Sequence, residues 1–142
     1  MTRRKPARPP RPREPRAPRS PARPEAGDPL AWALTACSDK QGVAGVVLDL
    51  RKLSDATDYF VVVSGTSDTH VRAIAEGVLE ALRERGVRAH HIEGLAGGRW
   101  VLLDFVDFVV HVFHPALREF YQLEGLWGDA PQRPIATGEE SP

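Results

Sequence analysis

Asp104 and Asp107 stand three residues apart in the C-terminal half of the chain, and Ser64–Asp68 reads SGTSD. Carboxylate oxygens can hold a divalent cation, and a Gly-containing loop at a helix N-terminus can present backbone N–H groups to phosphate, so together they raise a nucleotide-binding enzyme as an alternative. Two carboxylates that share a metal from one strand sit at i and i+2, where both side chains leave the same face. Asp104 and Asp107 are instead i and i+3 across an expected turn, and no third carboxylate is placed to assist them. His90, His91, His111 and His114 have no ligand spacing, and Cys37 lies far from them in sequence, so no metal site is expected. Ser64 lacks a His and Asp team, so no catalytic nucleophile and no cofactor is expected.

The same aspartates gain a different meaning from the stretch that holds them, GGRWVLLDFVDFVVHVFHP from Gly97 to Pro115. It reads as two strands folded back on each other. A two-residue turn at Phe105 and Val106 pairs Asp104 with Asp107, Leu102 with Val109, and Trp100 with His111, and paired residues share a face. Val101, Leu103, Phe108 and Val110 then form a uniformly apolar side suited to packing beneath a helix. The other side carries Trp100, Leu102, Val109 and His111 with the two aspartates, a mixture of anchors and charge that suits a partner-binding surface. A second account of that side is core closure, with the C-terminal segment folded over Trp100 and the aspartates solvating the turn.

The elements that position this hairpin follow from capping and periodicity. Asp28 followed by Pro29 opens a short helix with Leu30, Ala33, Leu34 and Cys37 on one stripe, and Gly42 ends it. Val43–Leu50 and Asp58–Val63 read as strands, the second apolar on both faces and therefore central. Val71, Ile74, Ala75, Val78, Leu79 and Leu82 trace one face of a long helix that Gly86 closes. A strand over Val87–Ile92 completes a right-handed crossover before the Gly94–Gly98 loop and the hairpin. Pro115 can start a last helix with Leu117, Phe120 and Tyr121 inward. The fold class is α/β, a mixed sheet of about five strands with helices packed on it.

A net charge of zero over 142 residues hides a division. Met1–Pro24 holds nine Arg or Lys against Glu14 alone, and eight prolines, so it carries +8 and the remainder −8. With almost nothing apolar to offset the entropy of ordering, residues 1–27 are expected to be a disordered basic tail, able to tether to rRNA phosphates through counterion release. One cysteine cannot form an internal disulfide, and no run approaches the roughly 20 apolar residues of a membrane span. No membrane association is expected, and a cytoplasmic location is.

DYFVVVSGTSDTHVRAIAEGV, the Glu93–Gly94 dipeptide, WVLLDFVDFVVHVF and REFYQLEGLWGDAP at Arg118–Pro131 resemble the ribosomal silencing factor, or Iojap, family. The similarity spans residues 28–131, leaving 132–142 as an expected disordered C-terminal tail. It implies a topology related to nucleotidyltransferases without their catalysis. It also implies docking on the large ribosomal subunit through its ribosomal protein fourteen, and steric hindrance of small-subunit joining. On that resemblance Trp100, Leu102, Asp104, Asp107, Val109 and His111 are the partner-binding residues of the hairpin, joined by Glu124 from a C-terminal motif of Tyr121, Leu123, Glu124, Leu126 and Trp127. An acidic domain complements a basic ribosomal protein better than bare RNA. The same face would also serve a homodimer of the free protein. Val106 stands where the family hairpin often has Gly, which argues for a turn longer than two residues.

Overall fold

The computed structural model describes residues 28–121 and 128–135, the side chains of residues 119–121 excepted. Asp28 accepts the Leu30 N–H at 3.1 Å and caps α1, Pro29–Asp39, with Pro29 in the first turn. Strands β1, Val43–Asp49, and β2, Tyr59–Ser64, pair antiparallel. Ser67 accepts the His70 N–H and caps α2, Asp68–Arg83, which buries Val71, Ile74, Ala75, Val78 and Leu82 on one stripe. The chain continues through β3, His91–Glu93, β4, Trp100–Asp104, β5, Phe108–Phe113, α3, Pro115–Tyr121, and β6, Gln132–Pro134.

The strands form one mixed sheet in the order β3-β4-β5-β2-β1-β6. Parallel β2 and β5 sit in the middle, registered from Tyr59 opposite Phe108 to Ser64 opposite Phe113. Val61, Val62 and Val63 are completely buried, as a strand apolar on both faces requires. Helices α1 and α2 cover the inner face, where Val61, Val63, Val101, Leu103, Val110 and Val112 meet Ala33, Cys37, Val71, Ile74 and Val78 in the main core. The outer face carries a second cluster, Leu48, Leu50, Val62, Phe113 and Ala130, with Leu117 of α3 packed against it.

The structure departs from the sequence reading in three places. The β4–β5 register is Asp104 opposite Val109, Leu102 opposite His111 and Trp100 opposite Phe113. Phe105 is responsible: it is buried and stacks on Phe108 with ring centroids 5.1 Å apart, which a solvent-exposed two-residue turn would not allow. Because the slip is two residues, each side chain within the paired strands keeps its expected face, whereas Asp107 falls in the turn. The strand expected over Val87–Ile92 is confined to His91–Glu93, since Val87 and Ala89 pack on the core from irregular backbone instead. Gln132–Pro134, expected as part of the tail, form the sixth strand β6, paired with β1. A bulge near Ala44, φ 52°, interrupts β1, and Ile135 packs on the bare Gly45 while its N–H donates to the Gly45 carbonyl at 2.9 Å.

Gly94 fixes the approach of the β3–β4 connection. Its φ is +79°, and a Cβ there would lie 2.1 Å from the Trp100 carbonyl oxygen, a backbone atom that cannot give way. Gly97, three residues on, has open space, with the nearest atom 3.9 Å from an added Cβ. Gly94→Ala is therefore expected to cost about 2 kcal/mol or more of stability in urea unfolding, whereas Gly97→Ala changes it by less than about 1 kcal/mol.

Candidate functional site

Among the described residues, the outer sheet face is closed over only part of its width. Leu48, Val62 and Phe113 are completely buried. Toward the β3 edge, Trp100, Leu102, Asp104, Val109 and Phe60 are half-buried, and His91 and Glu93 are exposed. Five of the expected site residues, Trp100, Leu102, Asp104, Val109 and His111, therefore share this face. Phe60 joins them because β2 sets it opposite Val109, and Glu93 because β3 sets it opposite Leu102. Neither was legible beforehand, since both placements depend on long-range strand pairing. Glu124, Leu123, Leu126 and Trp127 lie outside the described residues, as do the side chains of Phe120 and Tyr121.

Core closure by the C-terminal segment accounts for one part of the face, through Leu117 and Ala130. Trp100 stands at the boundary. Its ring lies 4.9 Å from that of Phe113, and its indole N–H donates to His111 Nδ1 at 3.1 Å.

Asp104 and Asp107 have different surroundings. Asp104 Oδ1 accepts the Val106 N–H at 2.8 Å, and the Val106 carbonyl accepts the Thr57 hydroxyl at 3.0 Å. Asp107 N–H donates back to the Phe105 carbonyl across Val106, whose φ is 77°. The Asp107 carbonyl accepts from the N–H groups of Asp58 and Tyr59 at 2.9 and 3.3 Å. Asp104 is thus a turn-holding side chain, whereas the exposed Asp107 carboxylate projects from a backbone fixed on both sides. A divalent cation would have to compete with the Val106 N–H for Asp104. Among the described residues no group of three or more His, Cys, Asp or Glu is arranged to hold a metal.

The SGTSD loop spends several of its donors internally. Gly65 N–H donates to the Phe113 carbonyl at 3.0 Å, and Thr66 N–H to His70 Nδ1 at 2.8 Å. That bond places the His70 proton on Nε2, which donates to the Lys40 carbonyl at 2.8 Å. Ser64 accepts Arg118 at 2.9 Å, and Asp68 adds a carboxylate to the first turn of α2, where an anionic phosphate would be repelled. Burial pushes the Cys37 thiol up to about 12, which leaves it protonated and inert.

His111 is 4% exposed, and burial pushes its imidazole down to about 3. A folded pKa below the unfolded value near 6.5 means that the unfolded chain binds the extra proton, so stability is complete above about pH 6.5 and declines as pH falls toward 3. Between pH 7.5 and 5 this single group is expected to remove about 2 kcal/mol. Urea unfolding at both pH values checks this: the loss in the wild type should exceed that in His111→Leu by that amount.

Residues 23–142 match the family model described as ribosomal silencing factor during starvation. A ribosomal silencing factor of Bacillus subtilis is 44% identical over 99 residues, 70% of this chain and 84% of that protein. A mouse protein named mitochondrial assembly of ribosomal large subunit protein 1 is 38% identical over 74 residues, 50% of this chain and 32% of its own length. A crystal structure of a Chromobacterium violaceum protein, 38% identical, aligns with a TM-score of 0.70 over 73% of this chain and 87% of that one. No helix among the described residues is long and apolar enough to cross a membrane. By the extent of the family match and the shared mixed sheet, the chain belongs to the ribosomal silencing factor family.

Proposed function

We propose that this chain represses translation in the cytoplasm by docking the open part of its outer sheet face on ribosomal protein fourteen of the large ribosomal subunit, where its bulk blocks joining of the small subunit. The observation that carries the reading is the combination on one face of half-buried Trp100, Leu102, Val109 and Phe60 with the acidic groups Glu93 and Asp104, beside the turn that exposes Asp107. Beyond Pro24 the chain carries −8, so a basic protein is the complementary partner, and opposite potentials speed encounter and reject wrong surfaces. The activity is steric and requires no reacting group. A large-subunit association also accords with the name of the mouse relative.

In this mechanism Trp100 and Leu102 supply the apolar contact, Val109 and His111 border it, and Asp107 meets an Arg or Lys of the partner. Glu124 is a further proposed contact. The firm backbone of the Phe105–Phe108 turn lowers the ordering cost of docking, because Asp107 is already in place. Purified large subunits should co-sediment with the protein, and light scattering should report slower subunit joining. Trp100→Ala is expected to weaken co-sedimentation about thirtyfold, near 2 kcal/mol, and Asp107→Arg by a smaller factor with unfolding stability unchanged. If neither variant binds more weakly, the face is misassigned; if wild-type protein neither binds nor slows joining, the function is.

The basic tail gives this reading a separate electrostatic arm. Met1–Pro24 carries nine Arg or Lys that can reach rRNA phosphates beside the docking site. Deleting it is expected to flatten the dependence of log affinity on log salt while leaving the loss on Trp100→Ala unaltered. An unchanged salt slope would reject the tether.

A further inference from the structure

One polar atom of the outer face has nothing to bond. Because His111 Nδ1 accepts the Trp100 indole N–H, the neutral imidazole carries its proton on Nε2. That nitrogen is buried and has no hydrogen-bond partner among the described residues. A buried donor left unmade destabilises a fold by its desolvation cost, which an apolar side chain of similar size would avoid. Its neighbours among the described residues offer it no acceptor. Leu102 and Val62 flank His111 in the neighbouring strands, the Phe60 ring meets the imidazole edge-on at 4.6 Å, and the Phe113 ring is parallel at 6.1 Å.

The placement of Nε2 gives the anomaly a direction. In an imidazole it lies at the end of the ring remote from Cβ, so it stands further off the sheet than Nδ1, toward the side from which a partner arrives. Trp100 and Phe60, the rings beside it, are themselves only half-buried.

We infer that the Nε2–H of His111 is reserved for the docked state, in which it donates to a main-chain carbonyl of the partner protein. This rests on the docking reading above and specifies one contact within it. A basic protein surface is crowded with Lys and Arg, which only donate; its peptide carbonyls are the acceptors it has to offer. A bond formed where water is excluded also discriminates against surfaces without an acceptor at that point, since they leave the imidazole unsatisfied. His111 is thereby a specificity residue, while the apolar contact area lies with its neighbours.

Three substitutions separate this role from core packing. His111→Gln keeps an N–H near the position of Nε2, His111→Asn keeps only the acceptor near Nδ1, and His111→Leu keeps neither. Urea unfolding at pH 7.5 reports their stability, and co-sedimentation with purified large subunits reports docking. The expected result is a Leu variant at least as stable as wild type that binds about tenfold more weakly, an Asn variant equally weak, and a Gln variant within about threefold of wild type. Should the Leu variant be destabilised, the comparison of Gln with Asn decides alone. Equal binding by Gln and Asn, or wild-type affinity in a folded Leu variant, overturns the inference and leaves the docking reading standing. Failure of the wild type itself to co-sediment overturns both.

Discussion

The parallel pairing of β2 with β5 is the constraint on which the rest depends. It brings Tyr59–Ser64 alongside Phe108–Phe113 across a gap of more than forty residues and makes the middle of the sheet apolar on both sides. A sheet of that kind must be covered twice. Helices α1 and α2 complete the inner face, but on the outer face the described residues provide only α3 and the short stretch around Ala130. Among the described residues, the part toward β3 is left half-covered because too few elements remain for two faces. Hydrophobic association there is the same force that closes the inner core, directed at a second molecule.

The sequence disclosed this arrangement unevenly, for physical reasons. Capping by Asp28 and the apolar stripes of α1 and α2 are local signals, and they placed both helices. The division of the hairpin between its two faces was legible because side-chain alternation has a period of two, so a slip of two residues at Phe105 left it intact. Register itself was not legible, because it depends on Phe105 finding room beside Phe108 in the core. Strand β6 was invisible for a related reason. Gln132–Pro134 has no strand propensity of its own, and its place comes from a bulge and a bare glycine almost ninety residues earlier. Among the site residues, Trp100, Leu102 and Val109 could be read from the hairpin alone, whereas Phe60 and Glu93 required the sheet order.

Reading the aspartates from composition as an interchangeable acidic pair concealed a division of labour. Val106 is β-branched and sits at φ 77°, a conformation that costs free energy for any residue with a Cβ and more for a branched one. Asp104 and Thr57 hold its N–H and carbonyl, and the Asp107 N–H closes a bond across it to Phe105. These bonds offset the strain and remove the freedom a Gly-containing turn would have had. Strain that is held in this way has a consequence for binding, because the one carboxylate left exposed at the tip does not have to be ordered when a cation approaches it.

A factor that works by occupying space faces opposing demands on a single surface. It must be apolar enough to adhere, yet it must not collapse on its own chain or adhere to every surface it meets. The open part of the outer face meets these demands with residues that are each only partly satisfied in the free domain. Trp100 packs on Phe113 while half-buried, Asp104 holds its turn while remaining half-exposed, and His111 has one nitrogen bonded and one without a partner among the described residues. An apolar residue at position 111 would spare the domain an unmade buried hydrogen bond but leave the face less selective, because selectivity needs groups that lose something when the wrong surface is presented. Residual dissatisfaction in the free domain is therefore what allows a small sheet to act as a partner-selective block rather than as a finished core.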